Sequence, residues 1–178
     1  DNGGKTQTVT ARSGRAPVTE QATRIILKAE HLGTNAQEPS EGPIANLIDG
    51  NTATFFHTAW SVAIPGPHWL QIRLPEALTE GHWKFWYAPR NNGRQKPTDF
   101  DILVSTGGSD WTLVKKFTKD EDGLPVTATD AYTSPNLPVT QPFDHIRMVV
   151  NAVNSGEVFF TMSEFRLWQV KVVDPEAE

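Results

Sequence analysis

The feature that most constrains this chain is a two-residue alternation of apolar side chains, repeated in short runs that turn residues interrupt. In His68–Leu74, Leu70, Ile72 and Leu74 alternate with Gln71 and Arg73. Trp83, Phe85 and Tyr87 share one side of His82–Ala88. Phe100, Ile102 and Val104 share one side of Thr98–Ser105, and Ile146, Met148 and Val150 one side of His145–Val150. Arg24–Ala29, Trp111–Phe117 and Glu164–Val173 are further apolar runs of strand length. Successive side chains of a strand point to opposite faces, so each alternating run offers one apolar face to a core. The thirteen Gly and thirteen Pro lie mostly between the runs, where they end strands and shape turns. No segment keeps a helical period beyond about two turns. One short helix is expected at Pro43–Ile48. About seven or eight short strands with turn-rich links predict an all-β fold, an antiparallel β-sandwich or jelly roll.

A chain of 178 residues makes one domain of ordinary size and buries enough surface to fold without cross-links. Residues 23–173 are expected to form the sandwich. Residues 1–22, rich in Gly, Thr, Ser and Gln without apolar periodicity, are expected to be a flexible leader, and residues 174–178 a tail. Such a leader serves as a tether to a lipid anchor or a preceding domain, or is a plain disordered end. A first residue Asp1 in place of Met is expected of a processed or trimmed chain.

Composition removes several functions. Without cysteine there is no thiol chemistry, and a metal must be held by His, Asp, Glu and oxygen donors. The net charge is −5, with Lys115-Lys116 the densest basic patch. Nucleic acid and anionic lipid both need clustered Lys and Arg, so neither is expected as a partner. No apolar run approaches the roughly 18 residues of a bilayer span. The sequence holds no G-x-S-x-G elbow, H-E-x-x-H helix, phosphate loop or dinucleotide fingerprint. Glu38 and Glu41 are the nearest thing to a glycosidase carboxylate pair, with nothing else to support one, and the chain is expected not to be an enzyme.

The stretch Asp49-Gly50-Asn51-Thr52-Ala53-Thr54-Phe55-Phe56-His57-Thr58-Ala59-Trp60 stands out. Asp-Gly-Asn is a turn signal in its own right. A tight turn carrying Asp49, Asn51 and Thr54 can also aim several oxygens at one point. Calcium takes six to eight such ligands, roughly, with backbone carbonyls among them, and a carboxylate from a distant segment would complete the shell.

The pattern I-D-G-N-x-x-T-x-x-H-T-x-W-S resembles the coagulation factor V/VIII type C, or discoidin, superfamily, and within it the bacterial family 32 carbohydrate-binding modules. Four later pieces fit in order: His68-Trp69-Leu70-Gln71-Ile72, Tyr87-Ala88-Pro89-Arg90-Asn91-Asn92, Phe100–Ser105 with Trp111-Thr112, and Met162-Ser163-Glu164-Phe165. The likeness spans about residues 24 to 172. It implies a galactose-binding-domain-like β-sandwich with a structural calcium held by the Asn46 carbonyl, Asp49, Asn51, Thr54, the Ser163 carbonyl and Glu164. The vertebrate members that bind phospholipid tie their ends with a disulfide, which this chain does not have.

The same resemblance implies a sugar site of Glu41, His57, Trp60 and Arg90, with Asn92 adding an amide and Phe159 a platform, Phe160 standing close behind. These residue types suit a polyol. Aromatic faces cover the C–H patch of a pyranose, and charged groups read its hydroxyls. Each also has a plain alternative: His57 as a satisfied structural histidine, Trp60 as core, Arg90 as a solvated loop charge, and Glu41 as surface with Glu38 its rival. Trp83 is expected in the core, Trp69, Trp111 and Trp168 in the core or on a sheet face, and Trp86 opposite Trp83. The implied function is a glycan-binding module for terminal galactose or N-acetylgalactosamine, on a secreted or bacterial cell-surface protein. The alternative is a protein-binding adhesion module on the same fold.

Overall fold

A computed structural model describes residues 6–12, 14–128 and 130–177. Two antiparallel sheets form the body. The first runs in the order β1 (Thr6–Arg12), β2 (Arg15–Ile25), β13 (Glu164–Val173), β6 (His82–Ala88), β10 (Leu137–Pro138), with β9 (Tyr132–Thr133) also on β6. The second runs β3 (Leu32–Thr34), β5 (His68–Leu78), β11 (Phe143–Val153), β7 (Pro97–Ser105), β8 (Thr112–Thr118). A two-stranded piece, β4 (Phe56–His57) with β12 (Thr161–Met162), lies apart from both. One helical turn, α1 (Lys119–Asp122), follows β8, capped by the Thr118 side chain and closed by Gly123 in the left-handed conformation.

The alternation in sequence becomes the core. Trp83, Phe85, Tyr87, Phe165 and Leu167 of the first sheet face Leu70, Ile72, Phe100, Ile102, Ile146 and Met148 of the second, all buried. Phe85 is the hub, with ring centres 6.0 Å from Phe100 and 5.3 Å from Phe117 across the sandwich, and 6.1 Å from Phe165 on its own sheet. Offset and edge-on arrangements of this kind suit the aromatic quadrupole.

Outside the core, the two sheet faces are closed by cations over indoles. On the outer face of the second sheet, the Arg147 guanidinium stands 4.0 Å from Trp69 and 4.0 Å from Trp111. Its Nε donates to Gln71 Oε1 at 3.1 Å. On the first sheet, Arg166 lies over its cross-strand neighbour Trp86 at 4.5 Å, and Lys84 over Trp168 at 5.7 Å. Trp69, Trp111 and Trp168 are thus sheet-face residues, and Trp83 alone of the six Trp is wholly buried.

The structure differs from the sequence expectations at the N-terminal side. Thr6–Arg12 and Arg15–Ile25 are strands, so the stretch expected as a leader pairs into the first sheet, β2 directly beside β13. A strand at a sheet margin needs backbone partners more than an apolar face, and the Thr-rich composition favours extended chain. The expectation for residues 1–5 lies outside the described residues. Arg24–Ala29 is not one strand either. β2 stops at Ile25, and Ala29–His31 is a 3-10 turn before β3 joins the other sheet. The helix expected at Pro43–Ile48 is a 3-10 helix at Ile44–Ile48, capped by Pro43.

Candidate functional site

The site is built on β4 and the loops either side of it. Thr161 pairs with His57 and Met162 with Phe56. The Thr58 N–H donates to the Phe160 carbonyl at 3.0 Å, and Phe160 N–H returns to Thr58 Oγ1 at 2.9 Å. On the other side, His57 N–H donates to the Gly42 carbonyl at 3.0 Å and Glu38 N–H to the His57 carbonyl at 3.2 Å. His57 is thereby clamped between the 37–42 loop and the 159–161 segment. Gly42 makes that approach possible: its φ is +65°, and a Cβ there would stand 2.7 Å from both His57 Cβ and N.

Glu38 holds the loop that ends in Trp60. Buried at 2 % exposure, its Oε2 accepts from Trp60 N–H at 2.6 Å and Ser61 N–H at 2.8 Å. Its Oε1 accepts from Ser40 Oγ at 2.9 Å, Ser40 N–H at 3.2 Å and the Ser61 hydroxyl. Burial alone would raise its pKa. The bonds from Ser61, Trp60 and Ser40 outweigh it and hold the carboxyl at about 2. The rival of Glu41 is thus a structural bracket. Glu41 is exposed and accepts from Trp60 Nε1 at 3.0 Å.

From there the rings and charged groups of the motif follow one another. His57 and Trp60 ring centres are 6.3 Å apart, and His57 and Phe159 are 5.7 Å apart. Phe55 stands 6.3 Å from His57 and carries the Arg90 guanidinium 3.6 Å above its own ring. Trp60 is 49 % exposed, which removes the core alternative, and no cation covers it among the described residues. Phe159 is half-buried beside His57, while Phe160 is fully buried edge-on to Phe56 at 5.8 Å. His57 Nδ1 lies 2.7 Å from the Thr58 carbonyl, which requires the proton on Nδ1 and leaves Nε2 as an acceptor. Burial lowers the imidazole pKa, with Arg90 adding to the effect against Thr58, Glu41 and Glu38, so the ring is neutral at pH 7. Aromatic faces, a neutral acceptor, a carboxylate and a guanidinium fork therefore share one rim of the sandwich.

Asn92 is not brought to these rings by any described contact. Its N–H donates to the Arg90 carbonyl at 2.7 Å and its Oδ1 accepts from Arg94 N–H at 3.3 Å, so it shapes the loop. Sequence reasoning missed two members. Phe55, the ring beneath Arg90, sits inside the motif but carries no polar signal. Lys96 is wholly buried, and its Nζ donates to the Arg90 carbonyl at 2.5 Å. Burial, followed by Arg90, lowers its pKa to about 8.

The candidate cation turn lies on the other side of the motif. Asp49 Oδ1 accepts from Asn51 N–H at 2.8 Å and Oδ2 from the Thr54 hydroxyl at 2.5 Å. The Asn46 carbonyl accepts from Asp49 N–H at 3.4 Å, and Ser163 is buried with its N–H on the Ala88 carbonyl at 2.8 Å. Glu164 reaches across from β13 and accepts from Gly50 N–H at 2.7 Å. It is wholly buried, and its Oε2 has no hydrogen-bond partner among the described residues, Arg166 Nε standing 3.8 Å away. Burial, then the neighbouring Asp49 carboxyl, pushes its pKa up to about 7. Two carboxyl groups this close, one with an orphaned oxygen, fit a hard cation. Among the described residues no three His, Asp or Glu side chains gather, so carbonyl, amide and hydroxyl oxygens must complete any shell.

Fold and rim define a β-sandwich with aromatic and charged side chains gathered between loops at one edge. The chain belongs to the F5/8 type C domain family, whose model matches residues 6–165. A sialidase of Micromonospora viridifaciens is 28 % identical over 134 residues, 71 % of this chain and 19 % of that protein. An A type blood N-acetyl-alpha-D-galactosamine deacetylase of Flavonifractor plautii is 30 % identical over 89 residues, 43 % of this chain and 11 % of that protein. The chain thus spans about a fifth or less of these curated relatives. Its structural neighbours are bacterial family 32 carbohydrate-binding modules. One, the Clostridium perfringens module CBM32-5 in complex with GalNAc-beta-1,3-galactose, has a TM-score of 0.63 at 18 % identity, covering 76 % of this chain and 92 % of that one. The family 32 module of Clostridium perfringens NanJ in complex with galactose has a TM-score of 0.61 at 21 % identity, covering 83 % and 99 %.

Proposed function

We propose that this domain is a non-catalytic carbohydrate-binding module that takes a terminal galactose-type sugar at the rim of Glu41, His57, Trp60, Arg90 and Phe159. The observation that carries the reading is the open face of Trp60, held by Glu38 and Glu41 beside a neutral His57 and the Arg90 fork. Trp60 and Phe159 cover the C–H patch of the ring. His57 Nε2 accepts a hydroxyl proton, and Arg90 donates to two neighbouring oxygens. The NanJ and CBM32-5 modules, solved with galactose and GalNAc-beta-1,3-galactose, support a sugar of this class. The sialidase and deacetylase relatives, of which this chain spans about a fifth or less, support a setting as an accessory domain in a larger protein; a secreted or cell-surface location is part of the proposal. A calcium ion bound by Asp49 and Glu164, with oxygens of Asn46, Asn51, Thr54 and Ser163, would supply positive charge where two carboxyl groups meet and pin the first loop to the last strand. It would touch no sugar.

A glycan array followed by calorimetry tests the function. A shallow monosaccharide site gives a Kd on the order of millimolar, about 4 kcal/mol. Trp60→Ala and Arg90→Ala should each abolish binding while thermal stability stays within about 0.5 kcal/mol of the parent. Two stable variants that bind glycans like the parent would place the site elsewhere.

A further inference from the structure

The loop that carries Arg90 closes on a buried lysine. Residues 89–96 join β6 to β7, and Lys96, the last of them, is wholly buried. Its Nζ donates to the Arg90 carbonyl at 2.5 Å. Among the described residues no other acceptor and no carboxylate meets this ammonium, and burial and the Arg90 charge both disfavour it. The Arg90 carbonyl has a second donor in Asn92 N–H at 2.7 Å, so the fold does not need Lys96 to satisfy it. An apolar side chain of the same length would fill the space without burying a charge. What the ammonium adds is therefore a tie and not packing.

The far end of that tie is firmly held. Gln95 lies in the left-handed region at φ 55°, the only non-glycine residue there among the described residues. Such strain persists where neighbours over-determine the backbone. Gln95 N–H donates to Ser155 Oγ at 2.9 Å, and its carbonyl accepts from Thr161 N–H at 3.0 Å. Lys96 N–H donates to Asn154 Oδ1 and its carbonyl accepts from Asn154 N–H, both at 3.0 Å. Thr161 is the residue paired with His57. Lys96 thus links the Arg90 backbone to the histidine side of the rim. We infer that Lys96 is a positioning residue for the sugar site: out of reach of ligand, it fixes the Arg90 backbone so that the guanidinium stays over Phe55, ready to donate to a sugar on His57 and Trp60. The inference rests on the sugar-binding reading above. Without the tie, Arg90 becomes ordered only when sugar binds, and the freedom it then loses lowers affinity.

The test compares the parent with Lys96→Met, which keeps the length and removes the ammonium, and with Phe85→Leu, a core variant outside the site. Each is melted, titrated with methyl β-galactoside by NMR, and examined for Arg90 side-chain protons, which the Phe55 ring current displaces upfield. Lys96→Met should melt at or above the parent, bind the galactoside about tenfold more weakly, and lose the Arg90 displacement in the free protein. Phe85→Leu should melt lower and keep both the parent Kd and the Arg90 displacement. An unchanged Kd or unchanged Arg90 shifts in Lys96→Met would overturn the inference. So would melting of Lys96→Met below Phe85→Leu, or an equal loss of affinity in Phe85→Leu, since either makes Lys96 one structural residue among others. A parent that binds no galactoside would overturn the sugar reading, while the Arg90 shifts would still decide whether Lys96 holds the guanidinium.

Discussion

At the scale of single residues, Glu38 and Glu41 show how three positions in one loop separate two roles. Glu38 is buried and accepts from both sides of the loop, whereas Glu41 is exposed and accepts from the Trp60 indole N–H. Their environments make a pH prediction. The folded pKa of Glu38, about 2, lies below its ordinary 4.5. The unfolded chain therefore binds more protons between those values, and the stabilisation is complete above about 4.5 and lost as pH falls toward 2. Thermal melts between pH 2 and 7 should show Glu38→Gln less stable than the parent near neutrality, with a shallower fall in acid. Parallel curves would assign the acid sensitivity to other carboxylates. None of this was legible in the sequence, where both glutamates lie in a Glu-Pro-Ser-Glu-Gly-Pro loop. What separates them is the backbone N–H of Trp60 and Ser61 folding back onto Glu38.

At the scale of elements, β4 and the turn before it join the loops to the sandwich. Gly42 lets the 37–42 loop touch His57, and its φ of +65° is one that side chains rarely adopt. Gly42→Ala is expected to destabilise the domain by about 1–3 kcal/mol and to weaken sugar binding by displacing His57, read by melting and calorimetry together. An unchanged Kd would show that the imidazole keeps its place without this contact. The turn at Asp49 has its own test. With calcium at about 100 times its Kd the parent should gain about 2.7 kcal/mol of stability, reversed by chelator, and Glu164→Gln should lose that response. A parent melting curve indifferent to both calcium and chelator would remove the ion from the account. The Asp-Gly-Asn turn and its far glutamate were readable by resemblance. The loose Arg166 contact and the orphaned Glu164 oxygen were not, because they depend on how β13 and β6 align.

At the scale of the whole molecule, the core was legible wherever alternation was strict. Trp83, Phe85, Tyr87, Phe100, Ile102 and Ile146 are all inward. The pairing of the stretch before residue 22 was hidden, since a mostly polar ribbon beside β13 shows no apolar period. Because Phe85 stands against aromatic rings of both sheets, Phe85→Ala should cost about 3–5 kcal/mol. Denaturant unfolding should remain one transition, the two sheets failing together. Separate transitions for the two sheets would mean they do not share one core.

The cations laid over Trp69, Trp86, Trp111 and Trp168 bear on valency. Each occupies an indole face that a pyranose would need, and Trp83 is sealed inside, so Trp60 is the one tryptophan left free for stacking among the described residues. On the proposed function, one stacking tryptophan gives the domain one sugar site. Strong retention on a glycan-coated surface has to come from avidity, by tandem copies or by many sugars offered at once to a longer protein, where effective concentration multiplies a weak single contact.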